Sequence, residues 1–80
     1  MGILKALADE TRMRILERIA GKEICACKLP ALVRKTQPAV SQHLSVLLDA
    51  GLVRMRKEGK KRVYSVSEKG RRVIEDISRW

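Results

Sequence analysis

The sequence predicts a mainly α-helical domain carrying one β-hairpin: a three-helix core, a two-stranded wing and a C-terminal helix. Three observations lead there. Apolar residues recur at three- and four-residue spacing through 3–20 and again through 36–50, which puts them on one face of a helix. Two short tracts, LVRMRK (52–57) and KRVYSV (61–66), switch to a period of two around Glu58-Gly59-Lys60, a glycine-containing hairpin loop. Cap and turn residues stand at the joints between these tracts: Asp9, Gly21, Thr36, Gly51 and Ser67.

In chain order, residues 3–20 read as helix with a break near Ala8-Asp9, where Asp9 caps a second helical segment. Leu4, Leu7, Thr11, Ile15 and Ile19 form its apolar stripe, with Arg12, Arg14, Glu17 and Arg18 on the wet side, and Gly21 stops it. Glu23 to Cys25 reads as a short extended piece. A helix of about two turns follows over Lys28 to Lys35; Pro30 fits it only in the first turn. Arg34, Lys35 and Thr36 form a tight turn into the next helix, TQPAVSQHLSVLLDA (36–50). There Thr36 is the N-cap, Pro38 sits in the first turn where a missing N–H costs little, and Gly51 supplies the left-handed C-cap. Val40, Leu44, Leu47 and Leu48 share one face of it; Pro38, Gln42 and Ser45 lie opposite, with Ser41 on the flank. In the hairpin, Val53 and Met55 alternate with Arg54 and Arg56, and Tyr64 and Val66 with Val63 and Ser65. Ser67 caps a last helix over 68–80, whose stripe is Val73, Ile74, Ile77 and Trp80. Two helices joined by a short turn, the second polar on its outer face and followed by a basic hairpin, make a winged helix-turn-helix.

Eighty residues make one domain, 1–80. A chain this small buries only about 60–65% of its unfolded surface, so it is marginal alone and is expected to lean on a partner chain. Its aromatics are one Tyr, one Trp and no Phe, so the core is built from aliphatic residues. Lys and Arg number 18 against 9 acids, a net charge of +9, which implies a polyanionic partner. An acidic membrane surface would need a long amphipathic helix under the charges, whereas the densest run, RMRKEGKKR (54–62), reads as strand and turn. No run approaches the roughly 18 apolar residues of a transmembrane helix, and no signal peptide is visible, so the expected compartment is cytoplasmic. Cys25 and Cys27 are then expected as thiols rather than a structural disulfide. Single-strand and RNA-binding modules stack bases on aromatic side chains, which this chain lacks on its central helix. No catalytic constellation appears, and the chain reads as a non-enzyme.

The outer face of 36–50 carries short amide and hydroxyl side chains, which suit the base edges of a DNA major groove. Gln37, Ser41, Gln42 and Ser45 are the candidate base readers, and Pro38 and Ala39 are placed to touch a thymine methyl. Lys35, Thr36, Arg54, Lys57, Lys60, Lys61 and Arg62 are candidate phosphate contacts. His43, at the edge of the apolar face, reads as a packing or phosphate-contacting residue rather than a metal ligand. Three roles are open to Cys25 and Cys27: a thiolate site for a soft metal or As(III), a redox switch through an intermolecular disulfide, or small apolar packing. The expected partners are double-stranded DNA and a second copy of the chain. Leu4, Val73, Ile74, Ile77 and Trp80 are candidate dimer-interface residues.

Three segments, in this order, resemble one family. LKALADETRMRILERI (4–19) is similar to the opening of the ArsR/SmtB repressors of bacteria and archaea; EICACKL (23–29) resembles their E-L-C-V-C-D/E-L box; QPAVSQHLSVLLDAGLVRMRKEGKKRVYSV (37–66) resembles their recognition helix and wing. The resemblance implies a homodimeric repressor that binds a palindromic operator and releases it when an effector binds. A redox-sensing or effector-independent regulator, and a protein-interaction winged helix without DNA activity, are the alternatives. The sequence departs from the family pattern at three places. Pro30 stands where metalloid sensors often have a third cysteine; residues 67–80 hold no His, unlike zinc sensors; and the N-terminal helix that usually aids dimerisation is short.

Overall fold

A computed structural model describes residues 9–78. Its elements run α1 (Glu10–Gly21), β1 (Ile24–Cys25), α2 (Leu29–Val33), α3 (Gln37–Asp49), β2 (Val53–Glu58), β3 (Lys61–Val66) and α4 (Glu68–Ser78). This is the winged helix-turn-helix expected from the sequence: α2 and α3 are the helix pair, and β2–β3 form the wing.

Each helix starts where its cap places it. The Asp9 carboxylate accepts from the amides of Thr11 (2.7 Å) and Arg12 (3.3 Å) and starts α1. Partial desolvation raises the pKa of Asp9, the two amide hydrogen bonds lower it more, and its carboxyl ends below the ordinary value. Thr36 Oγ1 accepts from the Ala39 amide at 3.4 Å at the head of α3, with Pro38 in the first turn. Ser67 Oγ accepts from the Gly70 amide at 3.0 Å at the head of α4. Helix α2 is shorter than the expected Lys28–Lys35. Arg34 takes the left-handed conformation (φ 56, ψ 47) and ends it after Val33; the amides of Arg34 and Lys35 both reach the Pro30 carbonyl.

The apolar face of α3 is the middle of the core. Val40, Leu44 and Leu47 are fully buried beside Ile15, Leu16 and Ile19 of α1 and Leu29 and Val33 of α2. Burying one such side chain contributes about 1.5–3 kcal/mol. Leu48 is only half-buried, packed against the rim of this cluster, and Leu16 joins the stripe expected for α1. Arg12, expected on the wet side, is half-buried because its Nε donates to His43 Nδ1 on α3 at 3.1 Å.

The sheet has three strands, in the order β1-β3-β2, all antiparallel. The extended piece at Ile24-Cys25 pairs with Tyr64 and Val63. The hairpin closes as Glu58↔Lys61, with Gly59 (φ 63) and Lys60 as a two-residue loop. Opposed residues share a face. Val53, Met55, Lys57, Arg62, Tyr64, Val66 and Ile24 point to one side; Arg54, Arg56, Glu58, Lys61, Val63, Ser65 and Cys25 point to the other. Met55 is exposed, since the core under the first face takes in Val53, Tyr64, Ile24 and, in part, Val66 but ends before it.

Helix α3, the wing and α4 meet at one clasp. Gly51 (φ 75) follows the last turn of α3; its amide donates to Leu48 O and that of Leu52 to Leu47 O, the paired bonds of a Schellman ending. The Gly51 carbonyl accepts from Ser67 Oγ at 2.6 Å, the Ala50 carbonyl from Lys69 Nζ at 2.9 Å, and the Leu52 carbonyl from the Ser67 amide at 3.1 Å. Gly70 lies directly against the Leu52 carbonyl, leaving no space for a Cβ, and the Val66 side chain closes the other side. Val73 and Ile74, both half-buried, pack against the same core. Leu4 and Trp80, with the side chain of Ile77, lie outside what the structure describes.

The clasp can be tested with two glycines. Gly70→Ala pushes a methyl into backbone and should cost about 1–3 kcal/mol. Gly21→Ala, with no heavy atom within 4 Å of the new methyl, should raise stability by about 0.5–1 kcal/mol. Urea midpoints that fall equally for both would show that the close approach at Leu52 is not a constraint.

Candidate nucleic-acid interface

Two exposed lines of side chains run along α3. Gln37, Ser41 and Ser45 are four residues apart and face the wing; Pro38 and Gln42, also four apart, lie farther out. All five are exposed, as are Lys35 and Thr36 at the turn, whereas Ala39 is half-buried. Ser41 and Ser45 therefore belong to the same line, a grouping that the expected split between face and flank did not give. The Thr36 hydroxyl oxygen is engaged in capping α3.

The wing sorts its own charges. Arg56 is held at 2.8 Å by both Glu23 and Glu58, and those hydrogen bonds and charges raise its pKa further. Among the described residues no carboxylate pairs with Arg54, Lys57, Lys60, Lys61 or Arg62. The five wing residues expected to meet phosphate are thus exposed and uncompensated. Lys57 and Arg62 share the Tyr64 face; Arg54 and Lys61 share the other.

Between α3 and the wing lies a cleft of about 360 Å³, lined also by the Cys25–Cys27 turn; the same two cysteines border a second hollow with Glu17 and Glu23. The Arg62 carbonyl accepts from the Ala26 amide at 2.9 Å and ties that turn to β3. Gln37, Ser41 and Ser45 line one wall, Lys60, Lys61 and Arg62 the other, with Leu44 and Tyr64 beneath. Among the described residues no acidic one lines the cleft. The sequence motifs gave the thiols and the reading helix as separate features; nothing local in either signals that they share a wall.

The two sulfurs differ. Cys25 is half-buried and Cys27 exposed, and both are free thiols. The Cys27 amide donates to Cys25 Sγ at 3.3 Å. The Cys27 thiol and then its amide, both donating, lower the pKa of Cys25, with Lys61 and Lys28 adding to them against partial desolvation. Cys27 shifts upward, through the hydrogen bond that it donates, desolvation and the charge of its neighbour. Thiolate sulfur suits a soft cation or trivalent metalloid. A closed structural site wants four donors, and among the described residues no cluster of three or more His, Cys, Asp or Glu side chains exists. The pair alone does not complete a metal site. His43 takes no part in one; its Nδ1 accepts from Arg12. The Arg12–His43 link joins residues 31 apart in sequence and had no local signal.

The family model described as bacterial regulatory protein, arsR family, matches residues 9–55. A Halobacterium salinarum protein assigned as an arsenical resistance operon repressor is 44% identical over 72 residues, covering 88% of this chain and 56% of that protein. The chain thus spans little more than half the length of that relative. Reduced HlyU from Vibrio cholerae aligns with a TM-score of 0.85 at 36% identity, over 96% of this chain and 82% of that one. The homodimeric winged helix-turn-helix DNA-binding domain Mb0332 (fragment 1–100) of Mycobacterium bovis aligns with a TM-score of 0.86 at 28% identity, over 92% and 69%. No helix among the described residues is long and apolar enough to cross a membrane.

The asymmetry of the thiols predicts an order of reaction. With limiting iodoacetamide near neutral pH, the first carbamidomethyl group should map to Cys25. The pH midpoint of that reaction should lie below that of an ordinary cysteine and move up in Cys27→Ala, which removes the thiol donor. Preferential labelling of exposed Cys27 would mean that access, not thiolate stabilisation, governs the pair.

Proposed function

The chain belongs to the arsR family of bacterial regulatory proteins, and from that premise we propose that it acts as a DNA-binding transcriptional repressor. The observation that carries the reading is the pairing of two surfaces: an exposed Gln/Ser face on α3 beside a wing whose outward cations no carboxylate neutralises. In this reading α3 enters the major groove, where Gln37 and Gln42 bond adenine edges and Ser41 and Ser45 serve neighbouring bases. Pro38 and Ala39 meet thymine methyls. Lys35, Thr36, Arg54, Lys57, Lys60, Lys61 and Arg62 hold the phosphates on either side and set the register. The family is one of transcriptional regulators rather than enzymes, in keeping with the non-enzyme reading.

The finer parts of the proposal concern assembly and release. Two copies placing their α3 helices about 34 Å apart would read a palindromic operator in the cytoplasm; the homodimeric M. bovis domain supports this. The stripe of α4 is the proposed interface, Val73 and Ile74 at its inner edge, with Ile77, Trp80 and Leu4 completing it. Cys25 and Cys27 are the proposed effector site, and the arsenical-resistance name of the H. salinarum relative supports a soft metal or As(III). Two sulfurs require a further donor from solvent, an added thiol or the other subunit, so affinity should be lower than that of a three-cysteine site.

Two measurements test this reading. Affinity for duplex DNA should fall with salt, with a log–log slope near −5 for about six phosphate contacts per dimer. Gln42→Ala should cost about 1–3 kcal/mol of specific binding and relax preference at one base pair, while Lys61→Ala weakens all sequences alike. A flat salt response, or identical losses from both variants, contradicts the assignment of readers and positioners.

Release is tested separately. Arsenite, cadmium or zinc should lower duplex affinity of the wild type about ten- to hundredfold and leave Cys25→Ser/Cys27→Ser unaffected. An equal response in both proteins removes the thiols from effector binding.

A further inference from the structure

We propose that the cleft between α3, the wing and the Cys25–Cys27 turn is a modification site for small acidic disulfides, and that the mixed disulfide formed there displaces DNA directly. The proposal rests on the DNA-binding reading above and goes beyond it, because the effector then acts inside the interface instead of at a distance from it. Three observations carry it. The cleft is large enough, at about 360 Å³, to hold a peptide-sized group, and Cys25 and Cys27 are among the residues that line it. Lys60, Lys61 and Arg62 border it with no acid among its described lining residues, and in the neighbouring hollow that the cysteines also line Glu17 and Glu23 are outnumbered by Arg18, Lys22 and Lys28, which favours carboxylate-bearing ligands over neutral or basic ones. Both thiols are free, and the Cys27 amide donates to Cys25 Sγ at 3.3 Å, which holds the two residues in one turn.

The chemistry balances without a further reagent. The Cys25 thiolate attacks one sulfur of R–S–S–R, a new S–S bond forms to Cys25, and the original S–S bond breaks. The electron pair leaves on the second sulfur as RS⁻, which takes a proton from water. Cys25 is oxidised and the small disulfide reduced; excess RSH reverses the step. The bound group then lies between Ser41 and Ser45 on one side and Lys61 and Arg62 on the other. A phosphate backbone bridging recognition helix and wing must cross the same space. Bulk and negative charge both oppose it, whereas a metalloid bridging two sulfurs adds little of either.

The test uses reduced protein, glutathione disulfide as the acidic probe and cystamine as a basic one. Intact mass and peptide mapping should show one glutathione adduct at Cys25, formed about tenfold faster than the cystamine adduct, with the difference reduced in Lys61→Gln/Arg62→Gln. A mixed-sequence duplex at low ionic strength should then bind the glutathione adduct at least about tenfold more weakly than reduced protein. Excess reduced glutathione should restore affinity, and Cys25→Ser should neither take the adduct nor change on treatment. Adducts at Cys27 alone, equal rates with both disulfides, or an adduct that binds duplex as tightly as reduced protein would each overturn the proposal. Failure of reduced protein to bind duplex contradicts the DNA reading instead, and the mapping and rates still decide whether the acidic-disulfide site exists.

Discussion

The angle between the reading helix and the wing depends on a few backbone hydrogen bonds at Gly51 and Leu52. Helix α3 ends there, strand β2 begins there, and Ser67 at the head of α4 bonds back to both residues. Ser67 is buried, and its hydroxyl serves twice, donating to the Gly51 carbonyl and accepting from the Gly70 amide. A buried polar group costs free energy unless paired, so the geometry that satisfies Ser67 also fixes three elements relative to one another. Gly70 is the steric side of the same constraint, because only a residue without Cβ lets α4 close on the Leu52 carbonyl.

Charge is organised by pairing as much as by number. Exposed ion pairs add little stability, and those found among the described residues are exposed. Their effect lies in what they leave over. Glu23 and Glu58 occupy Arg56 in the middle of β2, which leaves Arg54 nearer the root of the wing and Lys57, Lys60, Lys61 and Arg62 toward its tip without a carboxylate partner among the described residues. This concentrates positive potential beside the Gln/Ser face of α3, where a polyanion gains most. The same cations border the thiols, so the proposed nucleic-acid interface and Cys25 share one patch of positive potential.

Much of this architecture was legible in the sequence. The caps at Asp9, Thr36 and Ser67, the glycine ending of α3 and the two hairpin strands rest on contacts within a few residues, and they appear where their chemistry puts them. The end of α2 was less legible, since a left-handed arginine at position 34 is not a residue preference but a turn imposed by the packing of α2 and α3. Arg12 was misread for a related reason: a charged side chain on a helix reads as solvated until a partner from another element, here His43, comes within reach. Met55 shows the reverse case, an alternating apolar residue left exposed because the core beneath its strand ends before it.

The sequence by itself determined the helix faces, the caps, the basic hairpin and the Cys-x-Cys spacing, because each depends on residues close along the chain. Tertiary structure decided what those features do together. Pairing of Ile24-Cys25 with Tyr64 and Val63 spans about forty residues, and no local preference encodes its register. That one pairing brings the thiols to the wing, sets Lys61 near Cys25 and encloses the cleft beneath Ser41 and Ser45. The difference between the two cysteines is only partly its work: the leading causes, the Cys27 thiol and amide that donate to Cys25, lie within the turn itself, whereas partial burial and the charge of Lys61 are properties of position in space that two cysteines separated by one alanine do not reveal.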